Sequence, residues 1–100
     1  MRYTIASSEL RAMDVDERFV SRKYDKAVHH AFRKVMGLIR GARDERDLRA
    51  FKSLRLEKLK GDRLETFSLR LTQAMRLIIR FVTDPNGQTI VVIEIVDYHK

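Results

Sequence analysis

The last residues of the chain combine three side chains that could do acid–base chemistry. Asp97, Tyr98 and His99 follow an apolar run that predicts a buried strand, so their side chains could reach solvent at the edge of a sheet. A carboxylate, a phenol and an imidazole can move protons when a ribose 2′-hydroxyl attacks the adjacent phosphate. That reaction needs a base, an acid and stabilising cations, but no metal ion.

Basic side chains lie in the same half of the chain. In a strand, Arg70 would lie on the polar face of residues 67–71, while Arg76 and Arg80 would share one face of the next strand. Arginine suits phosphate because its planar fork donates two hydrogen bonds and keeps its charge at physiological pH. Arg76 is expected to face outward and to bury little surface. Three further cations extend this basic patch at the preceding turn: Lys58, Lys60 and Arg63.

Neither feature is specific by itself. An Asp-Tyr-His terminus is also typical of a polar chain end. Arg76 could equally have a structural role, in an ion pair with Glu57 or Glu94 across the sheet. The elements that position these residues therefore decide between the interpretations.

The most clearly predicted element is a helix that runs from Asp16 to Gly41. Apolar residues recur there at spacings of three and four, which places them on one helix face. Asp14 or Asp16 could cap its start, and Gly41 could end it in a left-handed conformation. His29 and His30 are adjacent and point about 100° apart on a helix, so we expect surface residues rather than metal ligands.

The strands indicate an α+β fold with a mainly antiparallel, four-stranded sheet and the long helix on one face. Asp84-Pro85-Asn86-Gly87 predicts a chain reversal, because proline presets φ and Asn-Gly tolerates positive φ. A short strand over residues 1–7 and a helical turn capped at Ser7-Ser8 are weaker signals. The four main strands are predicted at residues 54–59, 67–71, 75–82 and 90–96.

Composition predicts one small basic domain, residues 1–100. The net charge is +7, which attracts polyanions such as nucleic acid or an acidic protein. The chain has no cysteine, and its three histidines lack zinc-ligand spacing, so no metal or other cofactor is expected. It also lacks an apolar stretch long enough for a signal peptide or a membrane span, which predicts a cytoplasmic protein without membrane association.

Four segments together resemble the HigB group of the RelE/ParE toxins, the plasmid-maintenance killer proteins of type II toxin–antitoxin systems. They are residues 56–63 (LEKLKGDR), 67–71 (FSLRL), 75–77 (MRL) and 96–99 (VDYH), and the resemblance covers residues 24–99. It implies a RelE/ParE-like, microbial RNase-like sheet with helices on one face. It also implies a ribosome-dependent endoribonuclease, or mRNA interferase, that cleaves messenger RNA in the ribosomal A site and inhibits translation and growth.

The resemblance also implies roles for individual residues. It assigns catalytic positions to Lys60, Arg76, Asp97, Tyr98 and His99. RNA-binding roles for Lys58, Arg63, Arg70 and Arg80 come from their charge and predicted position.

Three residues depart from the family pattern. Glu57 stands where many relatives have histidine, and Phe67 and Met75 stand where they usually carry tryptophan. The tryptophan changes affect packing. The first change replaces a group that titrates near neutrality with a carboxylate, which could act as the general base or could leave the activity weakened.

The expected partners are a helix-turn-helix antitoxin, the ribosome and its mRNA, with operator DNA bound only through the antitoxin complex. Two alternatives remain. One is a non-nuclease toxin of the same fold, like the ParE proteins that poison DNA gyrase, although the Asp97-Tyr98-His99 end argues against it. The other is a degenerate toxin that binds antitoxin and nucleic acid without cleaving RNA.

Overall fold

The computed structural model describes residues 1–61 and 65–97. In those two ranges the chain forms five strands, three α-helices and one short 3₁₀ helix, Lys52–Leu54. In chain order the other elements are β1 (Arg2–Ile5), α1 (Ser8–Val15), α2 (Lys26–Gly41), α3 (Glu45–Ala50), β2 (Glu57–Lys58), β3 (Thr66–Arg70), β4 (Met75–Asp84) and β5 (Gly87–Asp97).

The five strands form one mixed sheet with the order β1-β5-β4-β3-β2. β1 runs parallel to β5, and the other neighbours are antiparallel. The α+β class is confirmed, but the prediction of a four-stranded sheet is wrong, because the N-terminal strand joins the edge beyond β5. This pairing links residues almost ninety positions apart, such as Tyr3 with Ile90, and no local pattern encodes it.

The predicted hairpin and the two long strands are confirmed. Pro85 and Asn86 form the turn between β4 and β5, and Gly87 follows with φ 119°, a value that favours glycine. The strand predicted over residues 54–59 shrinks to two residues. Leu54 instead ends the 3₁₀ helix, and Arg55 takes a left-handed φ of 46° that breaks an extended chain.

The long helix is shorter than predicted at its start. Its N-cap is Asp25, whose side chain accepts from the Val28 amide at 2.9 Å, rather than Asp14 or Asp16. Ser7 caps α1 in the same way, as its sequence suggested. The helix α2 ends at Gly41 as predicted, but the predicted left-handed conformation of Gly41 is wrong, because the chain leaves the helix through the extended backbone of Ala42. Within residues 1–61 and 65–97, no helix has the length and apolar character needed to cross a membrane.

Helices and sheet share one hydrophobic core. The buried stripe of α2, with Phe32 and Met36 at its centre, lies in the same apolar cluster as Leu69, Leu77 and Ile79 of the sheet. The alternate residues of these strands lie outside the cluster, so the helices pack on one face only. We call the other side the open face; on β3 and β4 it carries Ser68, Arg70, Arg76, Ile78 and Arg80.

His29 is buried rather than on the surface as predicted, with 4% exposure. Its Nε2 accepts from the Ser21 amide at 2.9 Å, and its Nδ1 lies 2.8 Å from the Asp25 carbonyl, to which it donates. The imidazole therefore ties the irregular segment before α2 to the helix. The sequence prediction failed because the acceptor role depends on a loop that folds back over the ring.

We expect His29→Ala to lower the free energy of unfolding by about 1–3 kcal/mol, because it leaves the buried Ser21 amide without an acceptor. Urea denaturation would measure the loss. His30→Ala is the matched control, since the neighbouring ring is exposed and should change stability by less than about 0.5 kcal/mol. Equal effects of the two substitutions would contradict this role of His29.

Candidate functional site on the open face of the sheet

Two arginines lie directly opposite each other on the open face. Arg70 of β3 pairs with Arg76 of β4, and Val96 of β5 is the next residue across the sheet. Directly paired side chains have Cβ atoms about 4.5–5.5 Å apart, and like charges in this position repel each other. A bound anion removes that repulsion, and the arginine fork matches phosphate oxygens. Phosphate binding at this pair stays a prediction, and the register is compatible with it.

Arg76 is much more buried than its sequence context predicted. It faces the open side, but only 9% of its surface is exposed, whereas Arg70 is half-buried. The expectation that it buries little surface is wrong, because Arg76 lies on a central strand with neighbours on both sides. An arginine in such partly desolvated surroundings interacts more strongly with a phosphate than one in bulk water.

A second row of side chains crosses the sheet beside the arginine pair. Glu57 is opposite Ser68, Ser68 is opposite Ile78, and Ile78 is opposite Glu94. Both glutamates are exposed, while Ser68 is 2% exposed. Three strand spacings of about 4.8 Å put the two glutamate backbones about 14 Å apart. The open face thus carries a carboxylate at each end of a row with a buried hydroxyl between them.

A cavity of about 450 Å³ opens over this row. A register shift between Ile78 and Ile79 leaves Ile93 of β5 without an opposite residue, which is a β-bulge. The bulge lets Ile93 and Glu94, although adjacent in sequence, both line the cavity. The full lining is Leu59, Thr66, Ser68, Ile78, Ile93, Glu94 and Val96.

Arg80 lies on the same face as Arg76, as predicted. The bulge inserts its extra residue into β5 and not into β4, so the alternation along β4 stays intact from Arg76 to Arg80. Arg80 is opposite Thr66 on β3 and is half-buried. Three arginines that were predicted to bind phosphate therefore share the open face, and two of them, Arg70 and Arg76, are directly opposite each other.

The predicted lysines are placed differently. Lys58 is opposite Phe67, so its register puts it on the helix side of the sheet, where its Nζ lies 3.2 Å from a carboxylate oxygen of Glu65. Lys60 is exposed in the turn after β2. Arg63 lies outside the described residues. The structure thus separates Lys58 from the arginines, although an RNA-binding role for it stays a prediction.

The C-terminal triplet is described only at its first residue. Asp97 ends β5 opposite Met75, so strand alternation directs it to the other face from Val96 and Arg76. Tyr98 and His99 lie outside the described residues, and their roles stay predictions. Glu57, Arg70 and Arg76 are the predicted site residues that the described structure brings together.

Ser68, Thr66 and Glu94 line the cavity but were not predicted as site residues. The alternation of residues 67–71 already placed Ser68 on the polar face and could have identified it. Glu94 could not be placed, because its position depends on the bulge. In residues 1–61 and 65–97, no group of three or more histidine, aspartate or glutamate residues is arranged to hold a metal ion.

The sequence suggested an ion pair of Arg76 with either Glu57 or Glu94, and the sheet places these two glutamates at different distances from Arg76. Glu57 is two strands away from β4, beyond the reach of a directly paired contact. Glu94 is the diagonal neighbour of Arg76, with backbones about 7–8 Å apart. The strand order therefore argues against an ion pair between Arg76 and Glu57, whereas Glu94 is close enough for one.

No protein-family model and no curated protein matches this chain. Among solved structures, the chain is similar to a YoeB/ParE toxin from Agrobacterium tumefaciens, with a TM-score of 0.57 and 21% sequence identity. The match covers 100% of both chains. The chain therefore shares the fold of this toxin, and membership of the RelE/ParE toxins and of their HigB group stays a prediction.

Proposed function

We propose that this chain is the toxin of a type II toxin–antitoxin pair, of the HigB kind, and a ribosome-dependent endoribonuclease that cleaves mRNA. The observation that carries the proposal is the Arg70–Arg76 pair on the open face, with the Glu57 carboxylate beside it. The toxin fold supports it further. Cleavage of messages would stop translation and growth until an antitoxin binds.

In the proposed reaction a ribose 2′-oxygen attacks the adjacent phosphorus. Glu57 takes the 2′-hydroxyl proton, and Arg70 and Arg76 stabilise the negative charge that develops on the phosphate oxygens. The bond from phosphorus to the 5′-oxygen breaks, and His99 donates the proton which that oxygen needs. The products are a 2′,3′-cyclic phosphate and a 5′-hydroxyl end.

The described geometry suits these roles. Glu57 is opposite Ser68, and Arg70 follows two residues later on the same strand, so Glu57 and Arg70 are diagonal neighbours. Their backbones are about 7–8 Å apart, a distance that two long side chains span when both reach one phosphodiester. Lys60, in the turn beyond β2, would contact a neighbouring phosphate, and Asp97 and Tyr98 would position His99.

Binding to ribosomes should weaken steeply as salt rises, because cations of the open face replace counterions on RNA. The affinity should fall with a log–log slope of about 0.7 to 0.9 for each phosphate neutralised. Arg80→Ala should reduce that slope by about one phosphate, whereas Lys34→Ala, an exposed lysine of α2, should not change it. Sedimentation with ribosomes at several salt concentrations measures the slope. An affinity independent of salt would contradict electrostatic binding.

The proposed partners are a helix-turn-helix antitoxin, the ribosome with its mRNA, and operator DNA only through the antitoxin complex. The function is tested by controlled expression in a bacterial host with and without the product of the adjacent gene, followed by mapping of message 5′ ends. We expect growth arrest, new 5′ ends within coding regions, and relief of both by the neighbour. Breaks in DNA would instead indicate a gyrase poison, and normal growth a binding protein without activity.

A further inference from the structure

The cavity on the open face has the lining of a nucleobase site. Its lining includes Ile78, Ile93 and Val96, which offer apolar contact, and the buried Ser68, which supplies a hydroxyl. Its volume of about 450 Å³ is within the usual range for small-ligand sites. Among the lining residues, Glu94 carries a carboxylate. It is exposed and lies at the β5 end of the row that crosses the sheet from Glu57.

The cavity adjoins the arginine pair. Ile78 follows Arg76 by two residues on β4, and Ser68 precedes Arg70 by two on β3, so these two lining residues are displaced from the arginine pair by about 6.7 Å along the strands. Ribose separates a phosphate from its base on a similar scale. A nucleotide whose phosphate lies over Arg70 and Arg76 can therefore place its base in the cavity.

The carboxylate selects among the four bases by their hydrogen-bonding edges. An ionised carboxylate only accepts hydrogen bonds, and it has two oxygens side by side. Guanine presents two adjacent donors on its Watson–Crick edge, N1–H and the 2-amino group. Adenine and cytosine each present an amino donor beside an acceptor nitrogen, and uracil presents one N–H between two carbonyls. Guanine alone satisfies both oxygens.

We propose that the cavity lined by Ser68, Ile78 and Glu94 is a base-reading pocket that prefers guanine beside the cleaved phosphate. The inference rests on the proposed function, since it names the RNA feature that the same site would recognise. Glu94 is its specificity-determining residue, and it takes no part in proton transfer.

The test uses the purified full chain and the four nucleoside 3′-monophosphates, with binding followed by NMR chemical shifts. We expect the guanosine nucleotide to bind at least about 10-fold more tightly than the others, as one bidentate base contact provides. Glu94→Gln should remove this preference. The amide presents one acceptor and one donor, a pattern that each of the four bases can match, so the four nucleotides should then bind to this variant with similar affinity.

Glu17→Gln is the matched control, because it makes the same charge change at an exposed position before α2. It should keep the guanine preference, and circular dichroism should show that both variants fold. Equal binding of the four nucleotides to the wild type, binding of none of them, or a guanine preference unchanged in Glu94→Gln would each overturn the inference.

The same binding experiment is independent of catalysis. If the chain binds the guanosine nucleotide selectively but cuts no message, the proposed function fails while the pocket stands. If the chain cuts messages without regard to guanine and shows no nucleotide preference, the pocket fails while the function stands.

Discussion

Arg76→Ala should slow message cleavage on ribosomes programmed with a defined transcript by about 10²-fold or more. Arg76 is directly opposite Arg70 and only 9% exposed. From this fixed, partly desolvated position it can stabilise the negative charge that develops on the phosphate. Loss of one such donor typically costs about 10²–10³ in rate. Growth arrest on expression should be relieved to the same degree.

The burial of Arg76 means that stability must be measured with activity. Truncation of its side chain should lower the free energy of unfolding by about 1–3 kcal/mol, since packing and polar contacts are lost together. Arg76→Lys separates the two effects, because it keeps the charge and most of the length but not the bidentate fork. We expect it to fold like the wild type and to cleave at an intermediate rate.

Arg80→Ala is the comparison on the same strand. Arg80 shares the open face with Arg76 but is opposite Thr66, away from the arginine pair. Its loss should weaken ribosome binding while the rate on bound ribosomes changes little. If folded Arg76→Ala protein cuts as fast as the wild type, the proposed role of the arginine pair in charge stabilisation is wrong.

Glu57→Gln should reduce the cleavage rate by about 10²–10⁴-fold, the usual contribution of a positioned general base. The amide keeps the size of the side chain and its hydrogen bonding but cannot take the 2′-hydroxyl proton. Stability should change by less than about 0.5 kcal/mol, because Glu57 is exposed on a two-residue edge strand. Single-turnover cleavage across a range of pH is the measurement.

The pH dependence of the cleavage rate distinguishes a general base from a residue that contributes only its charge. With Glu57 as base, the pH dependence of the cleavage rate should differ between the wild type and Glu57→Gln. Glu65→Gln is the control. It removes another exposed carboxylate, directly before β3, and should leave the pH profile unchanged. If the Glu57→Gln protein cleaves RNA as fast as the wild type, Glu57 is not the general base.

Features that depend on local alternation and turn chemistry follow from residue types and their spacing. The β4–β5 hairpin follows from Pro85 to Gly87, and the shared face of Arg76 and Arg80 follows from the period of two along one strand. The apolar face of α2 and its end at Gly41 follow from helical spacing. In each case the residues that interact lie close together in the chain, so their types are enough.

The register of the strands against one another, and the burial that results from it, could not be predicted from residue types and spacing. The Arg70–Arg76 pair and the Glu57–Ser68 pair are register facts, and the place of Glu94 depends on a bulge in β5. β1 joins the sheet through a parallel pairing that no local signal specifies. Register is set by how the whole core packs, and a slip of one residue would turn every side chain of a strand to the other face.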